Sequence, residues 1–294
     1  MFSVAISPKS DNLNYTMNTA QCPQASRVGK GGRNKERLVV GMAKRGRAIP
    51  SELKHDAIVE ALLEIRFDMR KETIPEILFG RLAEHGPWKG FEQRPLPAYQ
   101  VPPPLRQADP NLRFQPVFEL AAPDKRRTIR IGPHVLSYHR LRPYVGWEKF
   151  KPELGEAIDG LFSTTEGLSI RRLGFRYINA LQTDVHGIRS ILDLDLKLSI
   201  AEESVSSNVN INFTTDISND TNCTVRIATS EFVQGELPPN TSVFVDVDVF
   251  TKEAFRTEDQ IEVKKWVEFA HTKEKEQFFR LLTDQTIDSL KKEG

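Results

Sequence analysis

The sequence predicts an α+β fold: a mostly antiparallel sheet with helices packed on one face. Three observations lead to it. Apolar and polar residues alternate at period 2 along most of the extended runs, which gives each strand a dry and a wet side. Short separators such as Ala122-Pro123-Asp124-Lys125 and Gly132-Pro133-His134 join neighbouring runs, as antiparallel hairpins require. Solvent-facing polar residues on most strands fit this better than a fully sandwiched parallel sheet, whose strands would be apolar on both sides.

The first element runs from Ala57 to Asp68, where Val59, Ala61, Leu63, Ile65 and Phe67 alternate with Glu60, Leu62, Glu64, Arg66 and Asp68. This is the pattern of a half-buried strand, although its Glu, Ala and Leu content also suits an amphipathic helix. Thr73 and Pro75 then supply an N-cap and a first-turn proline for a helix carrying Ile77, Leu78, Phe79, Leu82 and Ala83, stopped by Gly86-Pro87. Seven prolines between 86 and 111 read as a long irregular connection. Strand-like runs follow at Leu112 to Ala121, Arg127 to Ile131 and Val135 to Leu141. A helix from Trp147 to Phe162 places Phe150, Leu154, Ala157, Ile158 and Leu161 on one stripe.

A long strand, Leu168 to Leu181, opens the second half, followed by a short helical or extended stretch from Ile191 to Ile200. Strands are expected around Val209 to Phe213, Cys223 to Ala228 and Val243 to Phe250. The chain ends in a helical region, about Glu258 to Lys292. There His271 to Gln277 lacks a large apolar residue, so the helix is expected to be exposed or interrupted. Both halves, 50–165 and 166–294, thus read strand, helical element, three strands, helix, an order compatible with two pseudo-equivalent units although no residue-level repeat accompanies it.

Residues 1–49 read differently. Up to residue 48 they hold nine basic and two acidic side chains, are rich in Ser, Asn, Gln and Gly, and have no sustained period, as in a disordered basic leader. Met42 offers an alternative start. Arg27 to Arg33 only faintly resembles a phosphate loop and lacks G-x-x-x-x-G-K-[ST]. The chain as a whole carries a formal charge of +1, without the basic excess of a general nucleic-acid binder. Two cysteines, Cys22 and Cys223, and no apolar run of membrane-span length lead us to expect a cytoplasmic protein without a disulfide framework or membrane association.

Three stretches carry a family resemblance: Ile58-Val59-Glu60-Ala61-Leu62-Leu63-Glu64-Ile65-Arg66-Phe67, Tyr144-Val145-Gly146-Trp147, and Gly174-Phe175-Arg176-Tyr177-Ile178-Asn179. Together they resemble a sporadically distributed bacterial family of about this length with no established activity, over roughly residues 50 to 292. The resemblance implies a cytoplasmic prokaryotic protein with an accessory role, and it supplies no catalytic residues.

No H-E-x-x-H, G-x-S-x-G or strand-borne G-x-G-x-x-G occurs, and the six histidines are scattered, so neither a cofactor nor a metal is expected. The sharpest polar group is Arg176-Tyr177-x-Asn179. Arg176 has the fork to clamp a carboxylate or phosphate, or to pair with Glu64 or another strand carboxylate; Asn179 can read an amide or base edge, or simply end the strand. Tyr144, Trp147 and Phe150 suit either an aromatic platform or a helix anchor. Glu60, Glu64 and Asp68, beside Arg66, suit a cation site or a solvated strand face. The resulting expectation is a non-catalytic interaction module that binds another protein. The alternatives are an enzyme or nucleotide-binding protein centred on Arg176 and Asn179, and nucleic-acid binding through the basic leader.

Overall fold

The computed structural model describes residues 49–50, 53–69, 75–200, 202–233 and 235–291; the leader up to residue 48, with Cys22, and Thr73 lie outside the described residues. One antiparallel sheet of nine strands dominates. The strands that build it are β1 (Ile58–Met69), β2 (Glu92–Pro95), β3 (Phe118–Ala121), β4 (Arg127–Gly132), β5 (Val135–Leu141) and β6 (Leu168–Gln182). A small hairpin, β7 (Ser199–Ile200) and β8 (Glu203–Ser204), stands apart, and β9 (Asn210–Asp216), β10 (Thr221–Thr229) and β11 (Thr241–Thr251) complete the sheet.

The strand order is β2-β3-β4-β5-β1-β6-β11-β10-β9, and it is palindromic about the β1/β6 pair. In each half the first strand pairs with the last of the following three: β1 with β5, and β6 with β11. β1 and β6 then pair antiparallel with each other, so the two halves form one continuous sheet around a pseudo-two-fold axis. Along the chain each half runs strand, helical element, three strands, helix; in the sheet the three strands lie in reverse order beside the first. The first half adds one strand, β2, outside β3.

Alternation decides what each face of the sheet holds. Ala61, Leu63, Ile65 and Phe67 of β1, Phe175 and Tyr177 of β6, and Val243, Val245, Val247 and Val249 of β11 point to one side and are buried there. That side is covered by three helices, α1 (Pro75–Ala83), α4 (Trp147–Thr164) and α6 (Gln260–Arg280), with α4 packed between the other two. Trp88 closes the joint: a Cβ added to Gly160 of α4 would lie 2.6 Å from the indole, so only glycine permits this approach. None of these three helices covers the opposite face. Val59, Ile178, Ala180, Ala228 and Phe244 make a small apolar patch there under Val233 and Leu237, and Glu64, Arg172, Arg176, Asp246 and Asp248 lie beside it.

Two expectations need correction. The proline-rich connection contains β2 and two short helices, α2 (Pro103–Ala108) and α3 (Pro110–Arg113), with prolines in their first turns and the Asp109 carboxylate accepting from the Asn111 N–H at 2.8 Å. Prolines taken as breakers act here as helix starters, and the expected strand at Leu112 shrinks to Phe118–Ala121. At the other end, α6 runs without interruption through His271 to Gln277. The short α5 (Thr183–His186) and the terminal α7 (Asp284–Leu290) complete the helices.

Candidate functional site

The seven candidate residues divide between the two faces of the central strands. Arg176, Glu64 and Arg66 lie on the uncovered face, while Tyr177, Asn179, Tyr144 and Trp147 belong to the helix side. Arg176 and Asn179 therefore point away from each other, because residues three apart on a strand face opposite sides. Asn179 is buried and donates its side-chain N–H to the Val245 carbonyl at 3.3 Å; it does not end the strand, which continues to Gln182.

The uncovered face is a lattice of charge pairs. Arg176 holds Asp246 through two hydrogen bonds of 2.6 Å, and Arg172 reaches Glu64 at 2.7 Å and Asp248 at 3.6 Å. Glu64 also accepts from Arg66 at 2.8 Å. Burial opposes its ionisation, but the Arg172 and Arg66 charges outweigh that and hold the carboxyl below its ordinary value. Glu119 sits between Arg94 and Arg130, and Asp68 pairs with Arg171. The acidic face of β1 is thus occupied by arginines and by His139. Among the described residues no group of three or more His, Cys, Asp or Glu is placed to hold a metal ion.

Within this lattice lies a relay that the sequence did not reveal. The His139 Nδ1 is 2.6 Å from Glu60 and its Nε2 is 2.8 Å from the Ser137 hydroxyl. Burial and the Arg130 charge keep His139 below the ordinary histidine value, and it is neutral at pH 7. The order resembles that of a nucleophile, a base and its orienter, but two features disfavour catalysis. Ser137 is buried, and Glu64 is its direct cross-strand partner, so an oxyanion on Ser137 would form against a carboxylate. The relay ties β5 to β1.

On the helix side, Tyr144, Trp147 and Tyr177 converge with two residues of α6. Gly146, at φ +83°, turns the chain into α4 and sets Trp147 at its first position. The indole stacks on the His271 imidazole at 3.8 Å and 3° and meets Phe175 edge-on at 6.0 Å. The Tyr144 and Tyr177 hydroxyls are hydrogen-bonded at 2.6 Å, their rings 5.4 Å apart. Burial raises both phenols above their ordinary values, and burial lowers His271 to about 4 with help from Lys275.

One turn beyond His271 lies Glu274, 2% exposed. Its Oε1 has no hydrogen-bond partner among the described residues. Burial pushes this carboxyl well above its ordinary value, and the Asp56 charge pushes the same way against Lys275. Glu274 is near enough to Tyr144 and Tyr177 for its charge to raise both phenols. The signal for it was in the spacing: Val263, Val267, Ala270, Glu274 and Phe278 form one stripe, with a carboxyl where an apolar residue belongs.

Fold and site together define an α+β protein built on one antiparallel sheet, helix-backed over a buried aromatic and carboxyl cluster on one face and ion-paired on the other. No protein-family model and no curated protein matches the chain. No helix among the described residues is long and apolar enough to cross a membrane.

Proposed function

We propose that this protein is a non-catalytic binding module that accepts a positively charged group of a protein partner, a lysine or arginine side chain or an amino terminus, beside Glu274. The observation that carries the reading is the buried Glu274 carboxyl, whose Oε1 has no hydrogen-bond partner among the described residues. Leaving such a group without a hydrogen bond costs on the order of 1–3 kcal/mol. A cation would supply the missing partner and ionise the carboxyl. It would also lie near the Tyr144 and Tyr177 rings, and a cation over an aromatic face gains about 0.5–2 kcal/mol. Tyr144, Trp147 and His271 are half-buried, so the cluster reaches the surface, and exposed Asp56 adds negative charge nearby. Nucleic-acid binding through the open face has less support, since Arg66, Arg94, Arg130, Arg172 and Arg176 there are each paired with a carboxylate; the basic leader, the other place for such binding, lies outside the described residues.

Calorimetric titration with N-acetyl-lysine methylamide at half-unit steps from pH 5 to 8, in buffers of different ionisation enthalpy, tests the reading. Net proton release on binding is expected where the free protein holds Glu274 protonated, because the cation converts the carboxyl to its anion. The Glu274→Gln variant is expected to lose that release. Absence of binding, or binding by wild type with no proton released at any of these pH values, would overturn the proposal.

A further inference from the structure

The palindromic sheet has one asymmetry, at its two ends. The counterparts under the pseudo-two-fold are β3 and β9, each the outermost of its half's three strands. The outer edge of β3 is occupied by β2, which pairs antiparallel with it from Glu92 to Pro95. The equivalent edge of β9 has no neighbour among the described residues. The two ends also differ in how they meet solvent. β2 is short, carries Glu92 and Arg94 and ends in Pro95, all features that discourage a further strand. β9, Asn210-Ile-Asn-Phe-Thr-Thr-Asp216, is seven residues long, with no proline, lysine or arginine.

The direction of its free backbone groups follows from the pairing with β10. The Thr229 N–H donates to the Val209 carbonyl at 2.9 Å, and the Val209 N–H turns to the Thr229 side chain, so residue 209 faces β10 with both groups. Antiparallel alternation then turns the N–H and C=O of residues 210, 212, 214 and 216 outward.

We propose that β9 pairs with β9 of a second copy of this chain, antiparallel across a molecular two-fold axis at Phe213, joining two nine-stranded sheets into one. The self-complementarity of the strand carries the choice of occupant. Centred on residue 213, the outward-bonding residues meet as Asn212 with Thr214 and Asn210 with Asp216, each pair exchanging two backbone hydrogen bonds. No like charges meet, and Asp216 is already neutralised by Lys252 at 2.6 Å. On the helix side Phe213 faces its own copy and Ile211 lies beside it. Both are half-buried residues that this pairing covers. The proposal does not depend on the cation site, which lies on another surface.

Analytical ultracentrifugation of the full chain from micromolar to near-millimolar concentration is the test. Wild type is expected to show a monomer–dimer equilibrium. The double variants Asn212→Lys/Thr214→Lys and Asn212→Glu/Thr214→Glu, at exposed positions, place like charges opposite each other and are expected to be monomers. An equimolar mixture of the two is expected to dimerise again, because Lys and Glu then meet across the axis. This rescue separates lost pairing from lost folding. Wild type that stays monomeric throughout, a lysine variant that still dimerises, or a mixture that fails to associate would overturn the proposal.

Discussion

Replacing Glu274 with glutamine tests the energetic core of the binding site, because the substitution keeps the shape and removes the titration. A carboxyl whose folded value lies above its unfolded 4.5 keeps its proton in the native state while the unfolded chain loses it. Between those two values the native state binds more protons, so stability falls as pH rises. The slope is about 1.4 kcal/mol per pH unit. It begins near pH 4.5 and ends at the raised folded value, above which the cost no longer grows. Other groups contribute nearly equally to wild type and variant and cancel in the difference. The charges that act on Glu274 are Asp56, Asp246 and Lys275. Asp56→Asn is thus expected to shorten the window, and Lys275→Met to lengthen it. Urea unfolding at half-unit steps from pH 5 to 8 gives the difference directly. Glu274→Gln should gain on wild type at about 1.4 kcal/mol per unit until the plateau. A difference that stays flat across this range would show that Glu274 titrates alike in both states, and the reasoning would fail.

Three further outcomes follow from the same geometry. Because His271 is lowered to about 4 from 6.5, its contribution is fully present above pH 6.5 and is lost as pH falls toward 4. Linkage bounds that loss at about 3 kcal/mol, less solvent screening at this half-buried ring, and His271→Asn should flatten the acid limb of the stability profile. Asp246→Ala leaves Arg176 without its bidentate partner and should cost about 3 kcal/mol in denaturant unfolding, whereas the apolar pair Arg176→Met/Asp246→Leu should cost much less. Gly160→Ala forces a methyl against Trp88 and should lower stability by about 1–3 kcal/mol, read as a lower melting temperature.

Much of the architecture was legible because burial writes a period into the sequence. Val135–Leu141 was expected with the bounds it has, and β1 declared itself through Ala61, Leu63, Ile65 and Phe67 despite helix-favouring residues. Strand order was less legible, since β1 finds β6 more than a hundred residues away and no local pattern encodes that pairing. Four-residue β2 is too short to show a period. At the site, Tyr144, Trp147 and Tyr177 were visible as aromatics beside polar residues, but their partners on α6 were not. The polar stretch from His271 to Gln277 resembled a solvated turn of helix. Tertiary packing turns His271 under Trp147 and Glu274 into the core, and only the four-residue steps Ala270, Glu274, Phe278 hinted at it. Arg176 and Asn179 looked like one group in the sequence, yet strand alternation alone separates them.

The most direct test of the binding site is the side-chain carboxyl carbon shift of Glu274, titrated by NMR from pH 4 to 9 with and without N-acetyl-lysine methylamide. The proposed function requires a titration midpoint that is raised in the free protein and moves back down as the cation binds. A midpoint in the ordinary carboxylate range without the ligand, or one that the cation does not lower, would contradict it.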